Sequence, residues 1–169
     1  MLLRPAAPED VDALVALVES AYRGESSRAG WTTEADLLDG QRTDPDEVTE
    51  TLPHLAVAEV DGDLVGCCAL VPRADHGYFG MFAVRPGLQG GGVGSALLEH
   101  AEKRAASLGL TRVDMTVLST RAELIAYYQR RGYVDTGDHK PFPYGEERFG
   151  QPRRDDLEFV VLSKLLTTS

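Results

Sequence analysis

Residues 78–98 read YFGMFAVRPGLQGGGVGSALL and change character three times, and this order decides the fold. Residues 78–84 have the aromatic and β-branched content of a buried strand, and a Pro-Gly pair follows them. Residues 89–94 are a glycine-rich loop. Ser95 then opens a segment whose apolar residues recur at helical spacing until Gly109, which suits a left-handed helix cap. The stretch predicts a strand, a glycine-rich loop and a helix.

Such a loop can hold a phosphate group, because glycines let backbone N–H groups approach a ligand and the first N–H groups of a helix have no internal partner. The helix N-terminus adds roughly half a positive elementary charge. A nucleotide-binding phosphate loop would need a lysine after the glycines, and a dinucleotide fingerprint would need a glycine where Leu97 stands. The loop therefore predicts a pyrophosphate site of another kind, with a purely structural turn as the alternative.

The spacing Gln89-x-x-Gly92-x-Gly94, after a strand that ends in Phe-Ala-Val, resembles the GNAT superfamily of acetyl-coenzyme A dependent N-acetyltransferases. In that family the loop holds the coenzyme's pyrophosphate, and the strand's backbone lies along the pantetheine arm. The resemblance implies that acetyl-coenzyme A is the cosubstrate. The coenzyme-binding residues that it implies are Phe82, Ala83, Val84, Gln89, Gly90, Gly91, Gly92, Val93, Gly94 and Ser95.

A second match is AYYQRRGY at residues 126–133, where Tyr128 precedes a glycine and an aromatic residue as in a late helix of the family. In many members this tyrosine protonates the departing thiolate, so the resemblance implies that Tyr128 is the general acid. The transfer is uphill by only about 2 kcal/mol, because the reference pKa values are about 10 for tyrosine and about 8.5 for a thiol. Without the glycine loop, packing of Tyr127 and Tyr128 on the sheet would be the favoured interpretation.

The sequence departs from the family at two places. Arg121 stands where members often carry an asparagine that touches the coenzyme; it can pair with a phosphate or be a solvated residue of the first helical turn. The strand at residues 78–84 lacks the glutamate that many members use as general base. Glu34, Asp75 and His76 are candidates for that role, each also explained as an ordinary surface residue. The base is left unassigned.

Along the whole chain we predict an α/β fold with a mixed sheet of about seven strands and about four helices, in the order known for the family. The helix between the fourth and fifth strands is a crossover, which requires those strands to be parallel. The Asp61-Gly62 pair suits a type I′ hairpin turn. Predicted strands span residues 2–4, 54–60, 64–71, 78–84, 111–118, 133–136 and 157–165. Predicted helices span residues 8–22, 95–108 and 120–132, the last with a Thr120/Glu123 capping box, and a short one follows Asp44.

Two long polar segments span residues 23–43 and 137–156, and the acceptor pocket is predicted between residues 30–34 of the first and residues 142–144 of the second. Long irregular connections in compact domains tend to be functional, and the resemblance puts both segments near the thioester end of the coenzyme groove. Aromatic side chains could wall the pocket and a carboxylate could hold a positive group. The alternative is that the aromatic residues anchor a loop and cover a sheet edge. The candidate substrate-binding residues are Trp31, Glu34, Phe142 and Tyr144.

Composition limits the partners. The 169 residues suit one domain, residues 1–169, and carry 27 acidic against 17 basic side chains, a net charge of −10. This charge disfavours nucleic acid and anionic membranes and favours a cationic amine, although simple solubility also explains it. A membrane span and a secretory signal are missing from the sequence, so a cytoplasmic protein is expected. Cys67 and Cys68 should point to opposite faces of a strand, which disfavours a disulfide or a metal site, and we expect no metal cofactor.

These observations predict an enzyme that transfers an acetyl group to a small-molecule or peptide amine by direct attack, without a covalent enzyme intermediate. A backbone N–H within residues 82–84, freed by a splay or bulge, would stabilise the charge on the thioester oxygen. The alternative is a non-catalytic acyl-coenzyme A sensor or regulatory module, which the missing strand glutamate keeps open and Tyr128 opposes. A homodimer is compatible with either hypothesis.

Overall fold

The computed structural model describes residues 1–22, 38–39, 45–88, 92–141, 151–152 and 158–166. Its four α-helices are α1 (Val11–Tyr22), α2 (Pro45–Thr51), α3 (Val93–Ser107) and α4 (Ala122–Gln129). Its strands are β1 (Leu2–Pro5), β2 (Leu38–Asp39), β3 (Leu55–Val60), β4 (Asp63–Pro72), β5 (His76–Val84), β6 (Arg112–Leu118), β7 (Val134–Pro141), β8 (Gln151–Pro152) and β9 (Glu158–Leu165).

Seven of these strands form one mixed sheet in the order β1-β3-β4-β5-β6-β9-β7. Within this sheet β5 and β6 are parallel, and the other described neighbours are antiparallel. The parallel pair is joined through α3, as a crossover connection demands. The predicted α/β class, with seven strands in a mixed sheet and four helices, is confirmed.

Local chemistry explains the main turns. Asp61 and Gly62, between β3 and β4, both have positive φ angles, 53° and 84°, which is the combination that a type I′ hairpin requires. In β6 the apolar residues Val113, Met115 and Val117 are buried on one face, and this alternation is that of a strand with one covered side. Gly109 caps α3 with a φ of 79°.

Several boundaries differ from the sequence-based expectation. The predicted Thr120/Glu123 capping box is wrong, since α4 has Arg121 as its N-cap residue and no side-chain cap bond. The reason is a turn in which the Arg121 N–H donates to the Leu118 carbonyl at 3.0 Å, so that Thr120 lies inside the turn. Helix α3 begins at Val93, two residues before the predicted start, and β7 continues to Pro141.

The sheet is covered by two apolar layers. On one face α1 and α2 bury Leu14, Val18 and Val48 against β3, β4 and β5. On the other face α3 and α4 bury a larger cluster, which includes the aromatic residues Phe79, Phe82, Tyr127, Tyr128 and Tyr133. Cys67 belongs to the first cluster and Cys68 to the second, so the predicted opposite orientation of the two thiols is confirmed.

An ion-pair cluster fastens the edge strand β1 to the start of α1. The Arg4 guanidinium donates to both carboxylate oxygens of Asp10, at 2.8 and 3.0 Å, and to Glu59 at 2.6 Å. The Ala7 backbone N–H donates to Asp10 at 2.8 Å. The Arg4 hydrogen bonds hold the pKa of Asp10 below its ordinary value of 3.8. Because Asp10 is buried, its carboxylate depends on these partners.

Replacing Asp10 by Asn should lower the free energy of unfolding at pH 7 by about 1–3 kcal/mol, because the partly buried Arg4–Asp10 charge pair is lost and Arg4 keeps only Glu59 as a carboxylate partner. The pKa of Asp10 is depressed in the folded state, so its contribution is complete above 3.8 and is lost as the pH falls through the lower folded value. Urea unfolding should be measured from about pH 7 to about pH 3. The difference in free energy of unfolding between wild type and Asp10→Asn should become smaller as the pH falls.

The control is Asp12→Asn, which changes an exposed carboxylate of α1 and should cost less than about 0.5 kcal/mol. This role of Asp10 would be contradicted if both variants lost the same free energy of unfolding, or if the difference between wild type and Asp10→Asn did not become smaller with falling pH.

Candidate functional site

The sheet opens between its two parallel strands. Backbone pairing of β5 with β6 covers His76↔Arg112, Gly77↔Val113 and Tyr78↔Asp114 and then ends. Beyond this point β5 stays paired with β4, and β6 stays paired with β9 along its whole length. The Tyr78 hydroxyl and Thr116 Oγ1, 2.7 Å apart, bridge the two strands by their side chains where the backbones separate. The result is a cleft in the middle of the sheet.

A bulge distorts β5 beside this cleft. The register between β4 and β5 passes from Ala69↔Gly80 to Cys67↔Ala83, so Met81 and Phe82 oppose one residue. Met81 has a φ of 44°, a value that is uncommon for a residue with a Cβ atom. The bulge also changes the alternation, because Phe79 and Phe82 lie on the same face with ring centroids 5.3 Å apart. Met81 and Phe82 both line the cleft.

The cleft has an aromatic and aliphatic wall and a volume of about 530 Å³, including its mouth open to solvent. Phe79, Phe82, Tyr128 and Phe159 supply aromatic rings, and Thr116 and Arg121 supply polar groups. Among the described lining residues there is no carboxylate and no histidine.

Tyr128 projects from α4 into the wall of the cleft and is 3 % exposed. Its ring packs edge-on against Phe79, with centroids 6.4 Å apart, and lies 6.2 Å from the Phe82 ring. These contacts restrict the side chain to one orientation. The structure thus brings the tyrosine singled out in the sequence next to the bulge and the end of β5.

The N-terminus of α3 lies beside the same strand. Gly92 is its N-cap residue, with a φ of 91° and no side-chain cap bond. The first bond inside the helix runs from the Ala96 N–H to the Gly92 carbonyl, so the N–H groups of Val93, Gly94 and Ser95 have no acceptor within the helix. These three residues are helical, whereas the sequence suggested that the loop continued to Gly94. Gln89, Gly90 and Gly91 lie outside the described residues.

The two described glycines of this turn are needed for different reasons. A Cβ atom at Gly92 would meet no atom within 4 Å, so its constraint is the left-handed backbone. A Cβ atom at Gly94 would lie 3.0 Å from the Phe82 ring and 3.2 Å from the Tyr127 hydroxyl, so its constraint is space. Gly94 therefore lets the start of α3 approach β5 and α4 closely.

Arg131 adds a cation at this helix end, and sequence reasoning missed it. Its guanidinium donates to Ser95 Oγ at 2.6 Å and to the Tyr127 carbonyl at 3.2 Å, and it stacks 3.7 Å from the centroid of the Tyr127 ring. A positive group and open helix N–H groups together favour an anion. The signal in the sequence was a second arginine between Tyr128 and Gly132.

Arg121 is buried, with 8 % of its surface exposed, and lines the cleft at the start of α4. The interpretation of Arg121 as a solvated residue of the first helical turn is therefore wrong. The turn after β6 carries the chain back over the cleft and places the arginine at the N-cap position. Its burial keeps a positive charge in a site that otherwise presents mostly apolar groups.

Two of the three candidate bases lie at the paired end of β5. His76 Nδ1 is 2.9 Å from Asp75, and the Arg112 guanidinium donates to Asp75 at 3.0 Å and to Asp114 at 3.1 Å. Hydrogen bonding to His76, and then to Arg112, lowers the pKa of Asp75. These groups form an ion-pair cluster where the strands still pair, and they are not among the described residues that line the cleft.

The four candidate acceptor residues, Trp31, Glu34, Phe142 and Tyr144, lie outside the described residues, as does Glu34 in its role of candidate base. The two segments that carry them are nevertheless joined by a short antiparallel pairing of β2 with β8, in which Leu38 faces Pro152 and Asp39 faces Gln151.

Nucleophilic and metal chemistry find little support in the described residues. Burial raises the pKa of the Cys68 thiol, and Cys67 is fully buried, so neither resembles an activated nucleophile. Within the described part of the chain, no three His, Cys, Asp or Glu side chains come together as metal ligands would. None of the described helices combines the length and apolar character needed to cross a membrane.

Comparison with known proteins agrees with this geometry. The acetyltransferase (GNAT) family matches residues 12–133. An amino-acid acetyltransferase of Ralstonia nicotianae is 34% identical over 134 residues, which are 78% of this chain and 26% of that protein. An IAA acetyltransferase of Azospirillum brasilense is 35% identical over 94 residues, 54% of this chain and 60% of that protein. The chain thus spans about a quarter of the amino-acid acetyltransferase and about three fifths of the IAA acetyltransferase.

Solved structures share the fold at low identity. The ribosomal-protein-S18-alanine N-acetyltransferase of Escherichia coli superposes with a TM-score of 0.73 at 14% identity, covering 99% of this chain and 95% of that one. N-acetylglutamate synthase of Neisseria gonorrhoeae, complexed with coenzyme A and N-acetyl-glutamate, gives a TM-score of 0.68 at 20% identity, covering 99% of this chain and 35% of that one. The family match covers most of the chain, and the separated strands and the glycine-capped helix agree with it. The chain belongs to the acetyltransferase (GNAT) family.

Proposed function

We propose that the chain is an N-acetyltransferase that moves an acetyl group from acetyl-coenzyme A to an amine by direct attack. The observation that carries the proposal is the separation of β5 from β6 after Tyr78, beside the N-terminus of α3. A cleft along one strand, with an anion-attracting helix N-terminus packed against the same strand at Gly94, suits a long cofactor with a pyrophosphate at one end. Family membership and the acetyltransferase relatives support the same activity.

The coenzyme would lie along β5. The strand keeps β4 on one side beyond Tyr78 and has the cleft on the other, so its backbone groups on that side can pair with the amide groups of pantetheine as with a neighbouring strand. The pyrophosphate would bind the N–H groups at the start of α3 and the residues from Gln89 to Ser95. Arg131 and Arg121 would supply positive charge to the phosphates. The backbone of Phe82, Ala83 and Val84 would meet the pantetheine arm.

The chemical step needs a donor for the thioester oxygen and a proton for the thiolate. A backbone N–H in the bulge can stabilise the oxygen as it becomes negative when the amine attacks, because the bulge takes it out of the regular ladder. The C–S bond then breaks, and Tyr128 gives its proton to the leaving sulfur and recovers a proton from the acceptor nitrogen through water. The apolar wall around Tyr128 would keep bulk water from the thioester.

The acceptor would be a small amine, with amino acids as the first class to test because several relatives are amino-acid acetyltransferases. Its pocket would lie between the segments that carry Trp31, Glu34, Phe142 and Tyr144. The pairing of β2 with β8 supports the closeness of these segments. A homodimer and a cytoplasmic location remain predictions.

A second candidate is a non-catalytic acyl-coenzyme A sensor. The observation that favours it is the absence of a carboxylate or histidine among the described residues of the cleft. An amine with a pKa near 10.4 costs about 4 kcal/mol to deprotonate near pH 7.4, and a sensor would need no group for that task.

Thiol release from acetyl-coenzyme A decides between the two functions. The full chain is assayed with a panel of amino acids, polyamines, aminoglycosides and peptides, and coenzyme binding is measured in parallel by calorimetry. If the chain is an enzyme, thiol release should require one class of acceptor and should increase with the concentration of that acceptor. Tight coenzyme binding without release by any acceptor would favour the sensor, and absence of binding would reject both functions.

The first variant tests the coenzyme site. Gly92→Asp should weaken coenzyme A binding at least about tenfold, because it adds a negative charge where the pyrophosphate would bind and a Cβ atom at a left-handed position. Gly109→Asp is the matched control, since Gly109 has a φ of 79° and open space at the opposite end of the same helix. Calorimetric titration measures both variants; unchanged affinity in folded Gly92→Asp would reject the site.

The second variant tests the general acid. Tyr128→Phe should lower kcat by about 10²–10⁴-fold and leave coenzyme affinity nearly unchanged, because only the proton donor is removed. The loss should shrink for an acyl donor with a more acidic thiol. Tyr133→Phe is the control: it removes a hydroxyl from the same aromatic cluster, one that donates to Glu102 at 2.9 Å.

Tyr133→Phe should therefore cost stability, about 1 kcal/mol, and keep the wild-type kcat. If Tyr128→Phe turns over its acceptor as fast as wild type, Tyr128 is a packing residue and another group is the acid.

The last pair of variants tests the acceptor pocket. Glu34→Gln and Tyr144→Ala should raise the KM of the acceptor identified in the panel by about tenfold, because each removes a contact that holds it. The KM of acetyl-coenzyme A should change less than about twofold. Equal effects on both substrates, or loss of folding alone, would show that these segments are structural and that the acceptor binds elsewhere.

A further inference from the structure

The side chain of Cys67 reaches from β4 to the distorted residue of the β5 bulge. Its Sγ lies 3.2 Å from the carbonyl oxygen of Met81, and the thiol is the donor in this contact. Cys67 is fully buried in the layer between the sheet and α1. A buried thiol is a weak donor, but its direction here is fixed by the packing around it.

Met81 is the residue of β5 that most needs such a contact. Its φ of 44° is left-handed, which costs a residue other than glycine about 1–2 kcal/mol. It also lies where the register between β4 and β5 shifts, between Ala69↔Gly80 and Cys67↔Ala83. A strained backbone persists when the surrounding contacts determine it.

The carbonyl direction of Met81 also sets the direction of the next N–H. The described chain contains no cis peptide bond, so the Met81 C=O and the Phe82 N–H point to opposite sides of one planar unit. The Met81 carbonyl is turned toward the Cys67 side chain, which extends from β4 into the layer under α1. The Phe82 N–H is therefore turned away from β4 and toward the opposite face, where Phe82 and Tyr128 line the cleft.

We propose that Cys67 is a positioning residue: its thiol holds the Met81 carbonyl and thereby aims the Phe82 N–H at the thioester oxygen. The inference rests on the proposed acetyl transfer and deepens it, because it names one donor of the bulge and the side chain that orients it. Cys67 itself does not touch the substrate.

The neighbouring cysteine offers a matched control. Cys68 is 1 % exposed and lies on the opposite face, with its Sγ 3.6 Å from the Leu97 carbonyl in α3. The same substitution at Cys67 and at Cys68 therefore removes the same buried atom from adjacent residues of one strand. Cys67→Ala and Cys67→Ser differ chiefly in the presence of a donor, so their comparison separates the hydrogen bond from the loss of volume.

The first readout does not depend on activity. The chain has 3 methionines, so labelling the methionine carbonyl carbon with ¹³C gives three signals, and Met81→Leu identifies one of them. Loss of a hydrogen bond should move the Met81 signal upfield in Cys67→Ala. Cys67→Ser should return it toward the wild-type position, and Cys68→Ala should leave it in place. If the chemical shift of the Met81 carbonyl carbon is the same in Cys67→Ala as in wild type, the proposal is overturned.

The second readout is kinetic. Cys67→Ala should lower kcat about tenfold, less than the loss of a whole oxyanion donor, and should change the dissociation constant of coenzyme A less than about twofold. Cys67→Ser should recover most of kcat, and Cys68→Ala should keep it. Equal kcat values in Cys67→Ala and wild type, or equal losses in Cys67→Ala and Cys67→Ser, would overturn the positioning role.

The two readouts separate this inference from the proposed function. If wild-type protein releases no thiol with any acceptor, the acetyl transfer is wrong, and the Met81 signal still decides whether Cys67 holds the bulge. If the protein is an active enzyme and the Met81 signal does not respond to Cys67→Ala, the proposed acetyl transfer is retained and the proposed role of Cys67 is rejected.

Discussion

The end of backbone pairing between β5 and β6 after Tyr78 is the constraint on which the site depends. A sheet that loses pairing in its middle must hold each half by other contacts. Here β6 is paired with β9 over seven register positions, from Arg112↔Leu165 to Leu118↔Phe159, and β5 is paired with β4 on its other side. Each half of the sheet therefore keeps a ladder of backbone hydrogen bonds on the side away from the gap.

Packing on the two faces then shapes the gap into a site. The bulge at Met81 and Phe82 puts two phenylalanine rings on the face covered by α3 and α4, where they support Tyr128. Gly94 allows the N-terminus of α3 to pack closely against the same strand. Met81 on β5 and Gly92 at the start of α3 both have positive φ angles, 44° and 91°, so the backbone departs from regular geometry in both elements that build the site.

Much of this arrangement could be predicted from the sequence, because it follows from local patterns. The strand, glycine turn and helix at residues 78–98, the Asp61-Gly62 hairpin and the parallel crossover all rest on spacing and turn chemistry. The capping box at Thr120 failed because a capping pattern does not reveal whether a preceding turn already uses the backbone. Arg121, Arg131 and Cys67 owe their roles to partners brought close by the tertiary fold, and a linear pattern does not specify those partners.

The central claim is that the gap between β5 and β6 receives the thioester arm of acetyl-coenzyme A. A crystal structure of the chain with acetyl-coenzyme A bound tests it most directly. The sulfur should lie between the two strands beside the bulge, with the thioester oxygen within hydrogen-bond distance of the Phe82 N–H. The pyrophosphate should lie at the N–H groups of Val93, Gly94 and Ser95. A coenzyme bound on another surface, or β5 and β6 paired to their ends with the cleft closed, would contradict it.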